Sequence, residues 1–471
     1  MEDGIVSERQ LSLRPFGLRD KVGYMFGDFG NDFTFLLSSG FLLKFYTDVM
    51  GVSASLVGLM MMLARIVDAF TDVAMGQICD RSPSTAKGKF TPWLRRMCGP
   101  VAVASLLMYA SWFQNMSMGF KIFWMFFSYL LWGSVFYTSI NIPYGSMASA
   151  ISAEAKDRTA LSSWRTIGAT LAGTAMGVVV PLVVYYKNKE GHTLLSGEQM
   201  TLAALGCSVA AVLCYLICYS LTTERVKIDR VSEPFSLTKL VKALFSNRSL
   251  IGIVVASIML LMSFLTVNSM NQYLYINYFN SNTALATATL ITSVVTILEA
   301  FLLPFAAARY GKKELAVGGA LLGIAVMALA FFLRTEQVQV WIALSLVLNV
   351  GIGTFNICCW AMITDVIDDV EVRSGKRLDG TVYATYSFAR KLGQAVSAGI
   401  SGALLTMIGY SKETAFSEPV RRGIYNISTL VPIAGLVLMC LALIFIYPLN
   451  KKRVDANVAF LKAKREEKEG K

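Results

Sequence analysis

The 471-residue chain is short of charge. Asp, Glu, Lys and Arg make up 16% of it, against about a quarter in soluble domains. It has one histidine, His192, in a polar loop, and eight cysteines with no CxxC pair and no Cys/His spacing suited to a metal. Nothing resembles a nucleophile–base pair, an HExxH motif or a nucleotide loop, so neither enzymatic activity nor a cofactor is expected. Cys207, Cys214, Cys218 and Cys440 lie inside apolar runs and Cys358–Cys359 are adjacent on a helix, which suits small buried hydrophobes. No cleavable signal peptide is expected, because Met1 to Asp20 is polar and the first apolar run is far longer than an h-region.

What is abundant is hydrocarbon. Apolar residues make up 55% of the chain, with a mean hydropathy of +0.55, and runs of roughly 20 apolar residues, long enough to cross about 30 Å of lipid, recur along it. Twelve spans are expected, near 21–49, 53–79, 92–114, 119–152, 157–186, 199–222, 248–280, 284–308, 313–334, 338–371, 377–410 and 419–448. The net charge of +12 does not point to nucleic acid, because the basic residues gather in particular loops: Arg81 to Arg96, Arg225 to Arg248, Arg309 to Lys313, Arg373 to Arg377, and both tails. Lys187, Lys189, Arg421 and Arg422 are exceptions. The positive-inside rule then places both termini in the cytoplasm, and the expected location is the plasma (inner) membrane.

The expected organisation is a tail over 1–20, a six-helix bundle over 21–222, a charged linker over 223–247 whose second half suits an interfacial amphipathic helix, a second bundle over 248–448 and a tail over 449–471. A basic, glycine-containing loop follows span two ("GQICDRSPSTAKGKF") and span eight ("ARYGKK"), an echo that suggests two related bundles. The expected class is therefore an all-α integral membrane protein with the two-halved plan of the major facilitator superfamily and a site at mid-membrane.

The stretch "LMMMLARIVDAFTDVAMG" carries ionisable groups in an apolar span. Arg65, Asp68, Thr71 and Asp72 fall on one helix face. Placing one such charge at the bilayer centre costs about 2.5 to over 10 kcal/mol, so that face must meet protein or water. Two carboxylates four residues apart repel unless a positive charge joins them. A Na⁺ held by both Asp residues and Thr71 answers this, as does a shared proton, with Arg65 balancing the empty site. A static ion pair through Arg65 is the alternative.

Charge recurs elsewhere. "GDFGNDFTF" repeats the four-residue spacing with Asp28 and Asp32. In "FYTSINIPYGS", Pro143 cannot donate a backbone hydrogen bond, which leaves the Ser139 carbonyl free beside Thr138 and Asn141 as either an oxygen-lined turn or a simple kink. Span five carries Arg165, and span eleven carries Arg390 and Lys391, which need an anion or acidic helices. Trp360 lies mid-span and suits stacking on a sugar ring. Tyr273, Tyr275 and Tyr278, near a span end, read as interfacial belt residues.

Long motifs carry a resemblance: "YTDVMGV", "ARIVDAFTDVAMG", "GKFTPW", "NIPYGSM", "DRTALSSWR", "DVIDDVEVRSGKRLDGTVYATYSFARKLGQA" and a "YP" near 447. From about Lys21 to Asn450 the chain resembles the glycoside–pentoside–hexuronide:cation symporters, with "NIPYGS" and "FARKLGQA" most similar to the glucuronide and xyloside permeases. The resemblance implies cation binding at Asp68 and Asp72, with Thr71 where the family's melibiose permease has an Asn, and with Thr138 contributing a hydroxyl. It implies that Asp32 and Arg165 hold sugar hydroxyls and that Lys391 is functional. Asn141 stands where melibiose permease has a sugar-binding Asp, and Gly145 where it has a Trp, which argues against galactosides. An amide at 141, with Arg165, Arg390 and Lys391, suits an anionic sugar, whereas Asp32 argues the other way.

The expected substrate set is Asn31, Asp32, Asn141, Tyr144, Arg165, Trp360, Arg390 and Lys391. The expected activity is sugar–cation symport by alternating access, driven by Na⁺ or H⁺, by a monomer. A lysolipid or amphiphile carrier of the same fold and a non-transporting sugar sensor are the rival expectations.

Overall fold

The computed structural model describes residues 14–226, 244, 245, 247–374 and 379–469. They form helices α1 (Leu18–Asp48), α2 (Ala54–Arg81), α3 (Thr91–Met108), α4 (Met118–Leu130), α5 (Thr138–Ile151), α6 (Ala155–Val184) and α7 (Gly197–Leu221), then α8 (Arg248–Tyr273), α9 (Asn282–Tyr310), α10 (Lys312–Leu333), α11 (Val338–Ser374), α12 (Asp379–Met407), α13 (Glu418–Leu441) and α14 (Lys451–Glu469). Helical structure is what lipid demands, since every backbone N–H and C=O must be satisfied within the segment. Polar caps mark several starts: Ser196, Asn247 and Ser281 accept from the first N–H groups of α7, α8 and α9.

Among the described residues, nine helices are long and apolar enough to span a membrane: α2, α4 continued through α5, α6, α7, α8, α9, α10, α11 and α13. Helices α1, α3 and α12 coincide with the other three expected spans but carry more charge along their length, including Asp28, Asp32 and Lys44, Arg95 and Arg96, and Arg390 and Lys391. Large apolar side chains lie on the outside, among them Phe301, Phe305 and Phe332, which suits a hydrocarbon solvent as apolar as the side chains themselves.

The chain divides into two compact units, residues 14–53 with 66–226, and residues 54–65 with 244–469. In the first, α1 packs along α6 and α7, and α3 lies against α5 and α7. In the second, α8 packs on α12 and α13, and α11 on α9 and α10. The opening turns of α2 belong to the second unit, where Gly58 meets Gly402 of α12 so closely that a Cβ on either would press on backbone.

Three departures from the sequence reading have physical reasons. Residues 185–186, expected to end span five, instead open a two-stranded hairpin, β1 (Tyr185–Lys187) with β2 (Thr193–Leu195), whose turn carries His192. Tyr273 and Tyr275 are buried rather than interfacial, because α8 ends in a π-helical turn (Leu274–Tyr278) that packs Tyr273 edge-on to Tyr410. The C-terminal tail is a helix, α14, fastened to its own unit. The expected interfacial helix of the linker falls largely on 227–243, outside the described residues. All eight cysteines are free and buried.

Candidate functional site

Within the first unit the carboxylates of α2 meet hydroxyls from the segment joining α4 to α5. Ser134 Oγ donates to Asp68 Oδ1 at 2.6 Å. Thr138 Oγ1 lies 2.8 Å from Asp72 Oδ1 and 3.1 Å from the Gly133 carbonyl, so its one proton is shared. The pairing depends on a local change of helical pitch. Residues Leu131–Tyr137 are π-helical, and the inserted residue turns Gly133 and Ser134 toward α2 as well as Thr138. A Cβ at Gly133 would lie 3.4 Å from Asp68 Oδ1, in ordinary contact. Thr71 Oγ1 donates to the Asp68 carbonyl at 3.3 Å. Arg65 is half-buried one turn earlier, in the part of α2 grouped with the second unit.

A second cluster lies across α1, α5, α6 and α7 of the same unit. Arg165 Nε donates to Asp28 Oδ1 at 2.8 Å, and its guanidinium stands 5.4 Å above the Tyr144 ring. Tyr144 is fully buried, stacked on Tyr24 at 4.6 Å, with its hydroxyl donating to the Tyr24 carbonyl at 2.8 Å. The stack needs Gly27, where a Cβ would overlap the Tyr144 ring. Asp32 is half-buried one turn beyond Asp28. Asn31 is buried and accepts from Tyr215 Oη at 2.9 Å, while its Nδ2 has no partner among the described residues. Asn141 is half-buried on α5.

Of the residues expected to bind sugar, Arg165 has Asp28 as its close carboxylate and Tyr144 under its guanidinium. Of the two readings left open for Pro143, the unwound turn is not seen: Pro143 is buried within a continuous α5, and the irregular turn comes earlier, at the π segment.

In the second unit, the Arg390 guanidinium stacks 5.3 Å from Trp360 and 5.8 Å from Tyr386, and Nη1 donates to Tyr386 Oη at 3.3 Å. Trp360 is exposed and meets Tyr386 edge-on at 5.2 Å. Among the described residues Arg390 has no carboxylate partner. Lys391 is half-buried beside it. Two acids of "DVIDDVEVRSGKR", Asp365 and Asp369, bind groups of this unit's own helix ends. Asp365 binds Lys312 at 2.7 Å, and Asp369 takes Arg373 at 3.0 Å, Arg453 at 3.5 Å and Ser249 Oγ at 2.7 Å. Residues 375–378 of that stretch lie outside the described residues.

Sequence reasoning missed Ser134, Tyr386 and the pairing role of Asp28. A small polar residue one turn before Thr138, an aromatic one turn before Arg390 and the Asp28/Asp32 spacing were the available signals.

A family model described as "MFS/sugar transport protein" matches residues 23–451. The chain belongs to this family. Over 448 residues this family member is 32% identical to the glucuronide carrier protein homolog of Escherichia coli (strain K12), with 94% of each chain covered. Over 450 residues it is 29% identical to the putative glycoside/cation symporter YagG of the same strain, covering 93% of this chain and 94% of that one. The crystal structure of a mutant form of the nucleoside transporter NupG matches with a TM-score of 0.62 at 16% identity, covering 91% of this chain and 98% of that one. At that identity the likeness speaks for the fold, which is the major facilitator fold. The resemblance to the glycoside–pentoside–hexuronide:cation symporters is thereby confirmed. This MFS sugar transporter is a multi-pass membrane protein whose matched relatives are carriers.

Proposed function

We propose that the chain imports a glycoside in symport with a monovalent cation, Na⁺ or H⁺, by alternating access. It works as a twelve-span monomer with both termini in the cytoplasm and needs no cofactor. The observation that carries this reading is the matched pair Asp68–Ser134 and Asp72–Thr138: two intramembrane carboxylates, each already facing a hydroxyl oxygen. Four hard oxygens suit Na⁺ once the hydroxyl protons rotate away, and one proton on either carboxylate would equally relieve the repulsion. Neutralising the pair lowers the cost of moving it through a low-dielectric interior, which ties the conformational change to an occupied ion site.

Relatives named for glucuronide and for glycoside/cation symport support a sugar cargo. The exposed Trp360 ring with Arg390 beside it offers an apolar face for a sugar ring and a cation for a uronate carboxylate. Arg165 is neutralised by Asp28, so the preference for an anionic sugar rests on Arg390 and Lys391. The test is uptake by proteoliposomes of a β-glucuronide, a xyloside and an α-galactoside, with a Na⁺ gradient or a pH gradient imposed separately. Uptake of one glycoside that follows one of the two gradients is the expected result. Uptake of neutral glycosides alone overturns the anionic assignment, and indifference to both gradients overturns symport.

A further inference from the structure

Helix α9 is the least buried of the spanning helices among the described residues, with 6% of its most apolar stretch buried. Leu298, Phe301, Leu302 and Phe305 all lie open on it, yet Glu299 among them is only 7% exposed. Its carboxyl is pressed against α11 at Gly353, where a Cβ would overlap it. Oε1 is buried with no hydrogen-bond partner among the described residues. This is an intramembrane acid with a place made for it and, among the described residues, no cation to neutralise it.

The charged groups of the neighbouring elements are far along their helices. On α11 the first is Asp365, 12 residues or about 18 Å beyond Gly353, and it is bound to Lys312. On α10 they are Lys312, Lys313 and Glu314, in its first turn. Arg309 on α9 itself is 10 residues or about 15 Å away, and the π-helical end of α8, "LYINY", has no charge. An ionised carboxylate in such surroundings would be very costly, whereas a carboxylic acid is not.

We propose that Glu299 is a proton-binding site of the second unit, filled while α9 lies against α11 and emptied when the two part. Pro304, five residues on, has no N–H and leaves the Ala300 carbonyl without its helical donor. That gives α9 a weak point beside the acid at which to bend. The site is separate from Asp68 and Asp72 and does not depend on their assignment.

Infrared difference spectroscopy of wild type against Glu299→Gln at neutral pH reads the protonation directly. The expected loss is the carbonyl stretch of a protonated carboxyl. Loss of a carboxylate band instead overturns the proposal. In proteoliposomes, pH-driven uptake by Glu299→Gln is expected to fall by on the order of tenfold or more, with sugar exchange retained. Unchanged pH-driven uptake overturns the exchange of this proton during transport. Asp72→Asn, measured in parallel, reports separately on the first unit's ion site. If Glu299→Gln does not fold, the wild-type protein decides. A membrane-soluble carbodiimide adds to a protonated acid: the acid proton goes to one nitrogen, the carboxyl oxygen bonds the central carbon, and the acyl group then shifts to nitrogen with no atom lost. A mass adduct on Glu299 is expected, and its absence overturns the proposal.

Discussion

Both units close one end with the same device but with opposite charge. In the first, the chain leaving α7 returns Glu224 to the loop before α3. Its carboxylate accepts from the backbone of Lys89 at 2.8 Å, Phe90 at 2.9 Å and Thr91 at 2.6 Å. In the second, the chain leaving α13 returns Lys451 to the loop after α9, where Nζ donates to the Arg309 carbonyl at 2.7 Å. An acid meets free N–H groups at a helix start, and a base meets free carbonyls at a helix end, as the helix dipole favours. Each loop turns on a glycine with positive φ, Gly88 at +115° and Gly311 at +99°, a region costly for a residue with a side chain. The ends are thus built alike, while the interiors differ. The first unit holds Asp28, Asp32, Asp68 and Asp72, with Arg165 among them. The second holds Arg390 beside Trp360 and Tyr386, with Lys391 next in sequence, and its buried acid Glu299 lies on another helix.

Under the proposed function the ion at Asp68 and Asp72 belongs to the first unit and the sugar's anionic group to the second, and mutation tests that division. Asp68→Asn and Asp72→Asn should each abolish gradient-driven accumulation while sugar binding or exchange survives. Arg390→Gln should weaken sugar binding and keep the dependence on the ion. Uptake assays under each gradient read both. Normal accumulation by both Asp variants, or loss of ion dependence in Arg390→Gln, breaks the division.

The closed ends predict a stability difference. Asp20 is fully buried and takes Arg14 at 2.8 Å, Arg225 at 3.0 Å and the N–H of Thr223 at 3.2 Å. Removing its charge leaves Arg14 and Arg225 with backbone carbonyls but without their carboxylate, a loss at or below the about 3–5 kcal/mol of a fully buried pair. Asp369 is as buried, but Arg373 and Arg453 are open to solvent, so their freed charges can be hydrated and the loss should be smaller. Thermal unfolding should therefore fall further for Asp20→Asn than for Asp369→Asn. The reverse order would show that the second unit's end depends more on its latch.

A third test separates the two acids of α1. Asp28→Asn removes a charge-assisted hydrogen bond to Arg165, worth about 1.5–3 kcal/mol, and frees the guanidinium. Sugar affinity should drop roughly tenfold to a hundredfold, and an anionic sugar should lose less than a neutral one because the freed cation attracts it. Asp32→Asn leaves that ion pair in place and should favour an anionic sugar further. Equal effects of both variants on both sugars would remove the distinction. Competition binding measures this.

Much of this was legible in the sequence because lipid leaves few options. Apolar runs of the right length had to become helices, and charged groups inside them had to face protein or water, so Asp68, Asp72 and Arg165 stand out from the sequence. What was not legible depended on helix phase. Ser134 reaches Asp68 only because Leu131–Tyr137 winds as a π-helix, and ideal helical spacing does not reveal the extra residue. Arg165 pairs with Asp28 rather than Asp32 through the packing of α1 against α6, which no local pattern encodes. α14 is too polar to look like a core element; its place follows from Arg453 and Asn457 reaching Asp369.

The smallest expected effect falls on that hidden residue. Ser134→Ala removes one neutral hydroxyl from Asp68 and leaves both carboxylates and Thr138 in place, so the ion site should weaken by about 1 kcal/mol, a several-fold loss of cation affinity. Cation titrations of Ser134→Ala against wild type measure the loss. Because Thr138 and both carboxylates are untouched, the loss should stay well short of that in Asp68→Asn, and a variant identical to wild type would remove Ser134 from the ion site.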